Sequence, residues 1–238
     1  MKNKVLTAVF GVLTFVFIIT VSISLPIYLR FFYYMQIESL GLERYYDYQT
    51  IKTCYDQMLD YLTLPGGEFL SGALPHTASF ADHMKDVKGL FMLNFFGLII
   101  SALGIICLLI LNAKKVIKLC RPFGMHVSFI SAVSIFGFFL IVGGLVAIDF
   151  EKAFVIFHKL FFPGKDNWLV SPTKDPVIKI LPEEFFLGCA IVIFVSITAI
   201  SLGIIVFQII AKKRRLGQKK IQKSLENDTD LNLPIDND

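Results

Sequence analysis

Charged side chains are missing from four long stretches of this sequence of 238 residues. Each stretch is longer than the roughly 20 apolar residues that a helix needs to cross the hydrocarbon core of a bilayer. The chain is also 55% hydrophobic, with a mean hydropathy of +0.67, which excludes a soluble protein with one buried core. The uncharged stretches are residues 5–29, 89–112, 122–148 and 185–211. They predict four transmembrane helices.

A disulfide framework and a redox motif are also missing. The chain has only four cysteines, and no two of them form a C-x-x-C pair. Cys107 and Cys189 lie within predicted spans, and Cys120 lies in the short link between two spans, so Cys54 has no cysteine partner on its own side of the membrane. The sequence therefore excludes a disulfide-linked outer domain and argues against a thiol oxidoreductase.

The uneven distribution of charge predicts the orientation in the membrane. The termini and residues 113–121 contain 13 basic and five acidic residues, whereas the other two connections contain ten basic and 14 acidic residues. Because cytoplasmic connections carry an excess of Lys and Arg, both termini and the short link are predicted to lie in the cytoplasm. The net charge of +4 follows from this topology and does not require a nucleic-acid partner.

The predicted fold is an all-α membrane protein with four transmembrane helices and two extracellular interfacial segments. The two outer segments are expected to be mostly helical, with a short strand or two in the second. In order, the predicted parts are the N-terminus and first span (1–29), first outer segment (30–88), second span (89–112), cytoplasmic link (113–121), third span (122–148), second outer segment (149–184), fourth span (185–211) and a disordered cytoplasmic tail (212–238).

The first outer segment has two helical signals. Apolar residues at helical spacing predict a helix over residues 47–64, which the Pro-Gly-Gly of residues 65–67 ends. Ser79 and Asp82 resemble a capping box, so a second helix is expected to begin near Phe80 and to run directly into the second span.

Aromatic residues are concentrated in both outer segments. Residues 31–34 are Phe-Phe-Tyr-Tyr and are expected to form an interfacial belt just past the first span. The aromatic run over residues 150–162 is expected to lie on the membrane surface or to pack on the first segment. Trp168 is expected to anchor the second segment at the interface.

Only four histidines are present, and the predicted topology separates them. His126 begins the third span on the cytoplasmic side, whereas His76, His83 and His158 lie in the outer segments. His76 and His83 are seven residues apart, which matches no common zinc-ligand spacing, so no metal site is predicted.

His83 and His158 are the candidate site residues. His83 has Asp82 and Asp86 close on either side, while His158 lies in an apolar setting among phenylalanines. A buried imidazole usually has a specific hydrogen bond, because an unmet one costs about 1–3 kcal/mol. The residues alone therefore leave two explanations open for each histidine, a local structural hydrogen bond or a catalytic role.

Two segments resemble the lipoprotein intramolecular transacylase family. They are residues 68–90, with His-Met-Lys-Asp-Val at 83–87, and residues 157–168, with the sequence Phe-His-Lys-Leu-Phe-Phe-Pro-Gly-Lys-Asp-Asn-Trp. Members of this family are small four-helix membrane enzymes of low-GC Gram-positive bacteria. The resemblance extends over nearly the whole chain in helix number, orientation and loop length. It implies a bacterial plasma-membrane protein whose active site lies on the outer face.

The resemblance also implies an acyltransferase activity. Enzymes of this family move the sn-2 acyl chain of a diacylglyceryl-cysteine lipoprotein to the α-amino group of the same cysteine, which gives the lyso-form lipoprotein. The two essential histidines of the family fall on His83 and His158, and no other catalytic residue is carried over. Diacylglyceryl-modified lipoproteins are then the substrate, and membrane lipid surrounds the protein. No cofactor and no nucleic acid is implied, and the oligomeric state stays open.

A pair of imidazoles suits this chemistry. Conversion of an ester to an amide needs a base for the amine proton, an acid for the departing glycerol oxygen and a donor for the tetrahedral oxyanion. In one assignment, His83 takes the amine proton while His158 polarises the ester carbonyl or protonates the departing oxygen. The reverse assignment is also open.

Two other classes of function remain open. The first is a noncatalytic membrane accessory or sensor protein that binds a partner through its outer segments, which the residues favour when the family resemblance is set aside. The second is an intermolecular acyltransferase or lipid hydrolase, in which the acyl chain leaves the molecule that carried it.

Overall fold

The computed structural model describes residues 2–231, with side chains described for residues 3–223. Within this part of the chain the secondary structure is helical, and no strand is present. Three short 3-10 helices cover Leu42–Arg44, Pro122–Gly124 and Pro176–Ile180. The α-helices are α1 (Lys2–Tyr28), α2 (Arg30–Tyr34), α3 (Gln36–Ser39), α4 (Tyr48–Thr63), α5 (Ala78–Ala113), α6 (Val127–Ile148), α7 (Phe150–Phe161) and α8 (Glu183–Leu231).

Four of the described helices, α1, α5, α6 and α8, are long and apolar enough to cross a membrane. They account for the four uncharged stretches, so the predicted all-α membrane fold is confirmed. The third span begins later than expected, because α6 starts at Val127 and Pro122–Gly124 is a 3-10 helix. Helix α1 contacts α5, α6 and α8, and α6 also contacts α8. The first span is therefore the central helix of the bundle.

Glycines on α5 allow α1 to approach closely. A Cβ atom at Gly104 would lie 2.7 Å from Leu13, and one at Gly97 would lie 3.1 Å from Thr20. Small residues at helix interfaces serve this purpose in membranes, where helix association depends on close van der Waals contact. The α1–α5 contact fixes the helix that carries His83.

Residues 30–77 and 149–182 form a helical cap at one end of the bundle. Helix α4 matches the predicted helix over residues 47–64, and the side chain of Asp47 caps it by accepting a hydrogen bond from the Thr50 N–H. The two parts of the cap pack together. Tyr33 stacks on Tyr55 at a ring distance of 3.7 Å, and its hydroxyl donates a hydrogen bond to the Ile180 carbonyl at 2.7 Å.

Two expectations for the cap were wrong. The strand expected in the second outer segment is instead the 3-10 helix Pro176–Ile180, because Pro176 has no backbone N–H to donate to a strand ladder and the Asp175 carbonyl accepts a turn bond from the Ile178 N–H. Tyr33 is fully buried in the cap core and does not belong to an interfacial belt. Its neighbour Phe31 is exposed, as a belt residue would be.

Two predicted helix ends also differ. Helix α5 begins at Ala78, and its N-cap is Thr77, whose hydroxyl accepts a hydrogen bond from the Phe80 N–H, so Ser79 is not the cap. The tail does not become disordered at residue 212, because α8 continues to Leu231. The residues after 211 are mostly Lys, Arg, Gln and Leu, which have high helix propensity. Residues 232–238 of the predicted tail lie outside the described part.

Candidate active site

A cleft of about 420 Å³ opens between the cap and the start of α8. Helix α5 contributes His83 to its wall, and α7 contributes His158. Trp168 lines the same cleft. The fold therefore brings together the two histidines that the sequence analysis selected, although they lie in different segments of the chain.

His83 lies in the second turn of α5 and is buried. The ring of Phe162 packs edge-on against it at a centroid distance of 5.1 Å. The Nδ1 atom of His83 is buried and has no hydrogen-bond partner among the described residues. Because nearly all buried polar groups have a partner, such an atom in a cleft is a candidate contact for a ligand.

His158 is held in one tautomer by the backbone of its own helix. Its Nδ1 lies 2.8 Å from the carbonyl oxygen of Phe154. A carbonyl oxygen only accepts hydrogen bonds, so Nδ1 carries the proton and Nε2 of the neutral ring has a free lone pair. Burial lowers the pKa of His158 below its ordinary value, and the bond to the Phe154 carbonyl acts more weakly in the opposite direction. His158 is therefore neutral at pH 7 and able to accept a proton.

The two imidazoles face each other across a short gap. Their ring centroids are 5.8 Å apart, with an interplanar angle of 36°. At this separation a group cannot fit between the rings, but both rings can reach the same ester-sized group bound beside them, at hydrogen-bond distances of about 2.8–3.0 Å. A positive charge on one ring would disfavour protonation of the other. The arrangement thus allows one proton at a time to be exchanged with a bound group.

The cleft has a polar wall and an apolar wall. Arg44 and Lys179 line it and both lie over the ring of Tyr45, with their cationic groups 4.9 and 5.6 Å from the centre of that ring. Phe154 and Phe186 form part of the apolar wall, with ring centroids 5.6 Å apart. An amphipathic cleft of this kind suits a ligand that has both a polar head and a hydrocarbon chain.

The carboxylates that flank His83 in sequence have different positions. Asp82 is exposed. Asp86 accepts hydrogen bonds from Lys165 Nζ at 2.5 Å and from Asn167 Nδ2 at 3.1 Å. Asp86 therefore links α5 to the chain that follows α7.

The other two histidines lie elsewhere. His76 Nδ1 is 2.6 Å from the Ser71 hydroxyl, and its ring packs on Phe69 at 4.8 Å. His126 lies at the opposite end of the bundle, next to Phe10 at 5.9 Å. Among the described residues, no group of three or more His, Cys, Asp or Glu side chains is arranged to hold a metal ion.

Sequence reasoning missed the role of Trp168 in the cleft. Its ring stacks on His158 at a centroid distance of 4.9 Å and an angle of 26°, whereas an interfacial anchor was expected. Pro163 and Gly164, which stand between the two residues, signal a turn that could have indicated the contact. Arg44 and Lys179 were missed because no local pattern separates them from other basic residues of the cap.

The fold and the cleft define a polytopic membrane protein with a pair of imidazoles at one end of a four-helix bundle. Comparison with protein families identifies which group of such proteins this is. The model of the family described as lipoprotein intramolecular transacylase Lit matches residues 8–186. Because the match covers most of the sequence, the chain belongs to the Lit family, as the resemblance of its two histidine segments implied.

Solved structures agree with this assignment. An in meso structure of the membrane integral lipoprotein intramolecular transacylase Lit from Bacillus cereus has a TM-score of 0.79 and 25% identity, covering 90% of this chain and 98% of that chain. Structures of two variants of the Bacillus cereus protein, with a histidine changed to arginine or to alanine, each have a TM-score of 0.71 and 24% identity. They cover 93% and 92% of this chain, and 95% and 96% of their own. A search of curated protein sequences gave no match.

Proposed function

We propose that this protein moves the sn-2 acyl chain of a diacylglyceryl-cysteine lipoprotein to the α-amino group of that cysteine. The observation that carries the proposal is the pair formed by His83 and His158, whose ring centroids lie 5.8 Å apart in an amphipathic cleft. Family membership supports the reaction class, and the geometry supports the assignment of the two residues.

We further propose that the cap and its cleft lie outside the cell and that both termini lie in the cytoplasm. The charge distribution supports this orientation, because basic residues are in excess at the opposite end of the bundle, in the termini and in residues 113–121. The cleft would then open near the outer head groups, where the glycerol ester of a membrane-anchored lipoprotein lies.

Helix α7 offers a path for the acyl chains. His158 faces the protein interior, while α7 exposes apolar side chains on the rest of its surface, at Ile156, Phe157, Leu160 and Phe161. Such a helix lies at the membrane interface with its apolar face in the lipid. The acyl chains of the substrate can stay in the lipid while the ester and the amine enter the cleft.

The first step forms the carbon–nitrogen bond. The unprotonated amine of the substrate cysteine attacks the sn-2 ester carbonyl, and Nε2 of His158 takes one amine proton as the bond forms. His83 donates a hydrogen bond to the oxygen that becomes negative in the tetrahedral intermediate. Since donor and acceptor belong to one molecule, the cleft mainly has to hold them in a reactive geometry.

The second step breaks the carbon–oxygen bond. The tetrahedral intermediate collapses to the amide, and protonated His158 returns its proton to the departing sn-2 glycerol oxygen. The enzyme ends in its starting protonation state, and one proton has moved from nitrogen to oxygen. Of the two assignments that the sequence left open, the tautomer of His158 supports the one in which His158 is the base.

Mass spectrometry of a lipoprotein N-terminus tests the proposal. Cells that express the wild-type protein should contain the N-acyl, S-monoacylglyceryl form, whereas His83→Ala and His158→Ala should leave the diacylglyceryl form. His76→Ala is the matched control, because this histidine also lies in the cap but contacts Ser71 and Phe69. Full product from both site variants would contradict the assignment and favour a noncatalytic role.

Isotope labelling tests whether the transfer is intramolecular. A lipoprotein that is labelled in both its acyl chain and its peptide is mixed with an unlabelled acceptor lipoprotein. The proposed reaction keeps the acyl label on the labelled peptide. Label on the unlabelled peptide would indicate an intermolecular acyltransferase, and free labelled fatty acid would indicate a hydrolase.

A further inference from the structure

The chain turns sharply after α7 and returns to α5. In this turn, residues 162–168, the Lys165 N–H donates to the Phe162 carbonyl at 3.2 Å, and the Trp168 indole N–H donates to the Lys165 carbonyl at 2.9 Å. These two bonds make the 162–168 turn a compact unit. Its position relative to the bundle then depends on contacts made from outside the turn.

The two ends of the 162–168 turn touch the two histidines. Phe162 packs edge-on against His83, with ring centroids 5.1 Å apart, and Trp168 stacks on His158 at 4.9 Å. A shift of the turn would therefore change the surroundings of both imidazoles at once. Neither Phe162 nor Trp168 can exchange protons with the substrate ester. Their contribution is to hold the two imidazole rings in place.

One carboxylate connects this turn to α5. Asp86 lies three residues after His83, which places both side chains on the same face of the helix. Its two oxygens bind different residues of the turn, Lys165 at 2.5 Å and Asn167 at 3.1 Å. The helix that carries His83 thus holds the turn that packs on His158.

The orientation of the Asn167 side chain supports a specific contact. A carboxylate only accepts hydrogen bonds, so the amide must present Nδ2 to Asp86. Its Oδ1 atom is buried and has no partner among the described residues. An amide left with an unmet acceptor indicates that the bond to Asp86 decides which way the group points.

From these contacts we propose that Asp86 is a positioning residue, which through Lys165 and Asn167 holds Trp168 against His158 and keeps the two imidazoles at their working separation. The proposal rests on the transacylation proposed above. A role in stability alone is the competing explanation. Lys165 has half of its side chain exposed, and exposed ion pairs contribute little to stability, so loss of this pair should leave the protein folded.

The single tryptophan of the chain makes the position of the turn measurable. Trp168 is half-buried against His158, so its release should move its fluorescence emission to longer wavelength and raise its quenching by a water-soluble quencher. We expect this change in purified Asp86→Ala and Lys165→Ala. Asp82→Ala is the matched control, because Asp82 is exposed on the same helix beside His83.

The same variants should lose kcat. A displacement of reacting groups by about 1 Å can lower a rate by about 100-fold, so we expect kcat to fall about 10- to 100-fold while KM changes less than about threefold. Lys165→Arg keeps a cationic donor and should retain most of the activity. Asp86→Ala combined with Lys165→Ala should be no worse than Asp86→Ala alone, because Asp86→Ala already removes the contact with Lys165.

Failure of the positioning role and failure of the proposed function give different results. Wild-type kcat in Asp86→Ala and Lys165→Ala, or a reduced kcat with unchanged Trp168 fluorescence, would overturn the positioning role. A loss of thermal stability that matches the loss of activity in both variants would also overturn it. Absence of the N-acylated product with the wild-type protein would refute the proposed function, and the fluorescence measurement would still report whether Asp86 holds the turn.

Discussion

The two histidine-bearing helices are held in different ways. Helix α5 has 36 residues and continues from the cap into the bundle, so the close α1–α5 contact fixes His83. Helix α7 has 12 residues and ends at Phe161, where the 162–168 turn begins. His158 is therefore positioned by local contacts with Phe154, Trp168 and the turn.

This difference suggests that the two histidines have different roles in the reaction. A donor for the oxyanion works best from a rigid position, because electrostatic stabilisation depends on preorganised dipoles. A base that takes a proton from one atom and returns it to another must reach two positions. The short α7 suits the second task, while the long α5 suits the first. Changes in the rate of transacylation can test this difference between the two helices.

The largest effect is expected for His158→Asn. The asparagine amide can occupy the place of Nδ1 and keep the hydrogen bond to the Phe154 carbonyl, but it supplies no base at the position of Nε2. General base catalysis contributes about 10²- to 10⁴-fold, so the rate should fall by that factor while the protein stays folded. Single-turnover kinetics in detergent or bicelles measures the rate. A loss of less than tenfold would assign the base to His83.

A smaller effect is expected from lowering the pH by one unit. The substrate α-amino group has an ordinary pKa of about 7.7–8.0, so the free amine, and with it the rate, should fall about tenfold for each pH unit below that range. Burial lowers the pKa of His158, which therefore stays neutral through this range and adds a second loss only below pH 6.5. Rates measured from pH 5 to 9 report both losses, the one from the amine and the one from His158. A rate that does not change between pH 6.5 and 8 would contradict the expectation that protonation of the substrate amine controls the rate.

The smallest effect on the rate is expected for Gly104→Val. The larger side chain would press on Leu13 and separate α1 from α5, and overpacking of this kind costs about 1–3 kcal/mol of stability. Thermal unfolding should therefore begin at lower temperature, whereas the rate per folded molecule should stay close to that of the wild type, because Gly104 lies 21 residues from His83 along α5, about 30 Å away. Gly137→Val is the control, because a Cβ atom there meets nothing within 4 Å. A large loss of rate below the unfolding temperature would mean that a shift of α5 at Gly104 is transmitted along the helix to His83.

Local patterns predicted most of the fold. Length and the absence of charge are enough to identify a membrane span, and the apolar spacing over residues 47–64 predicted α4 to within one residue at each end. The expected helix from near Phe80 into the second span is α5. Predictions failed where distant contacts compete with local preference, as at Tyr33, whose burial depends on Tyr55 and on the Ile180 carbonyl.

The sequence by itself determined the number of spans, the helical class and the two histidines worth testing, because hydropathy, helix propensity and motif are properties of short segments. Only the tertiary structure decided that the ring centroids of His83 and His158 lie 5.8 Å apart, that Nε2 of His158 is free, and that the Trp168 ring stacks on His158. These features arise from packing between residues far apart in the chain. Packing of that kind depends on how whole helices approach one another, which no single segment specifies.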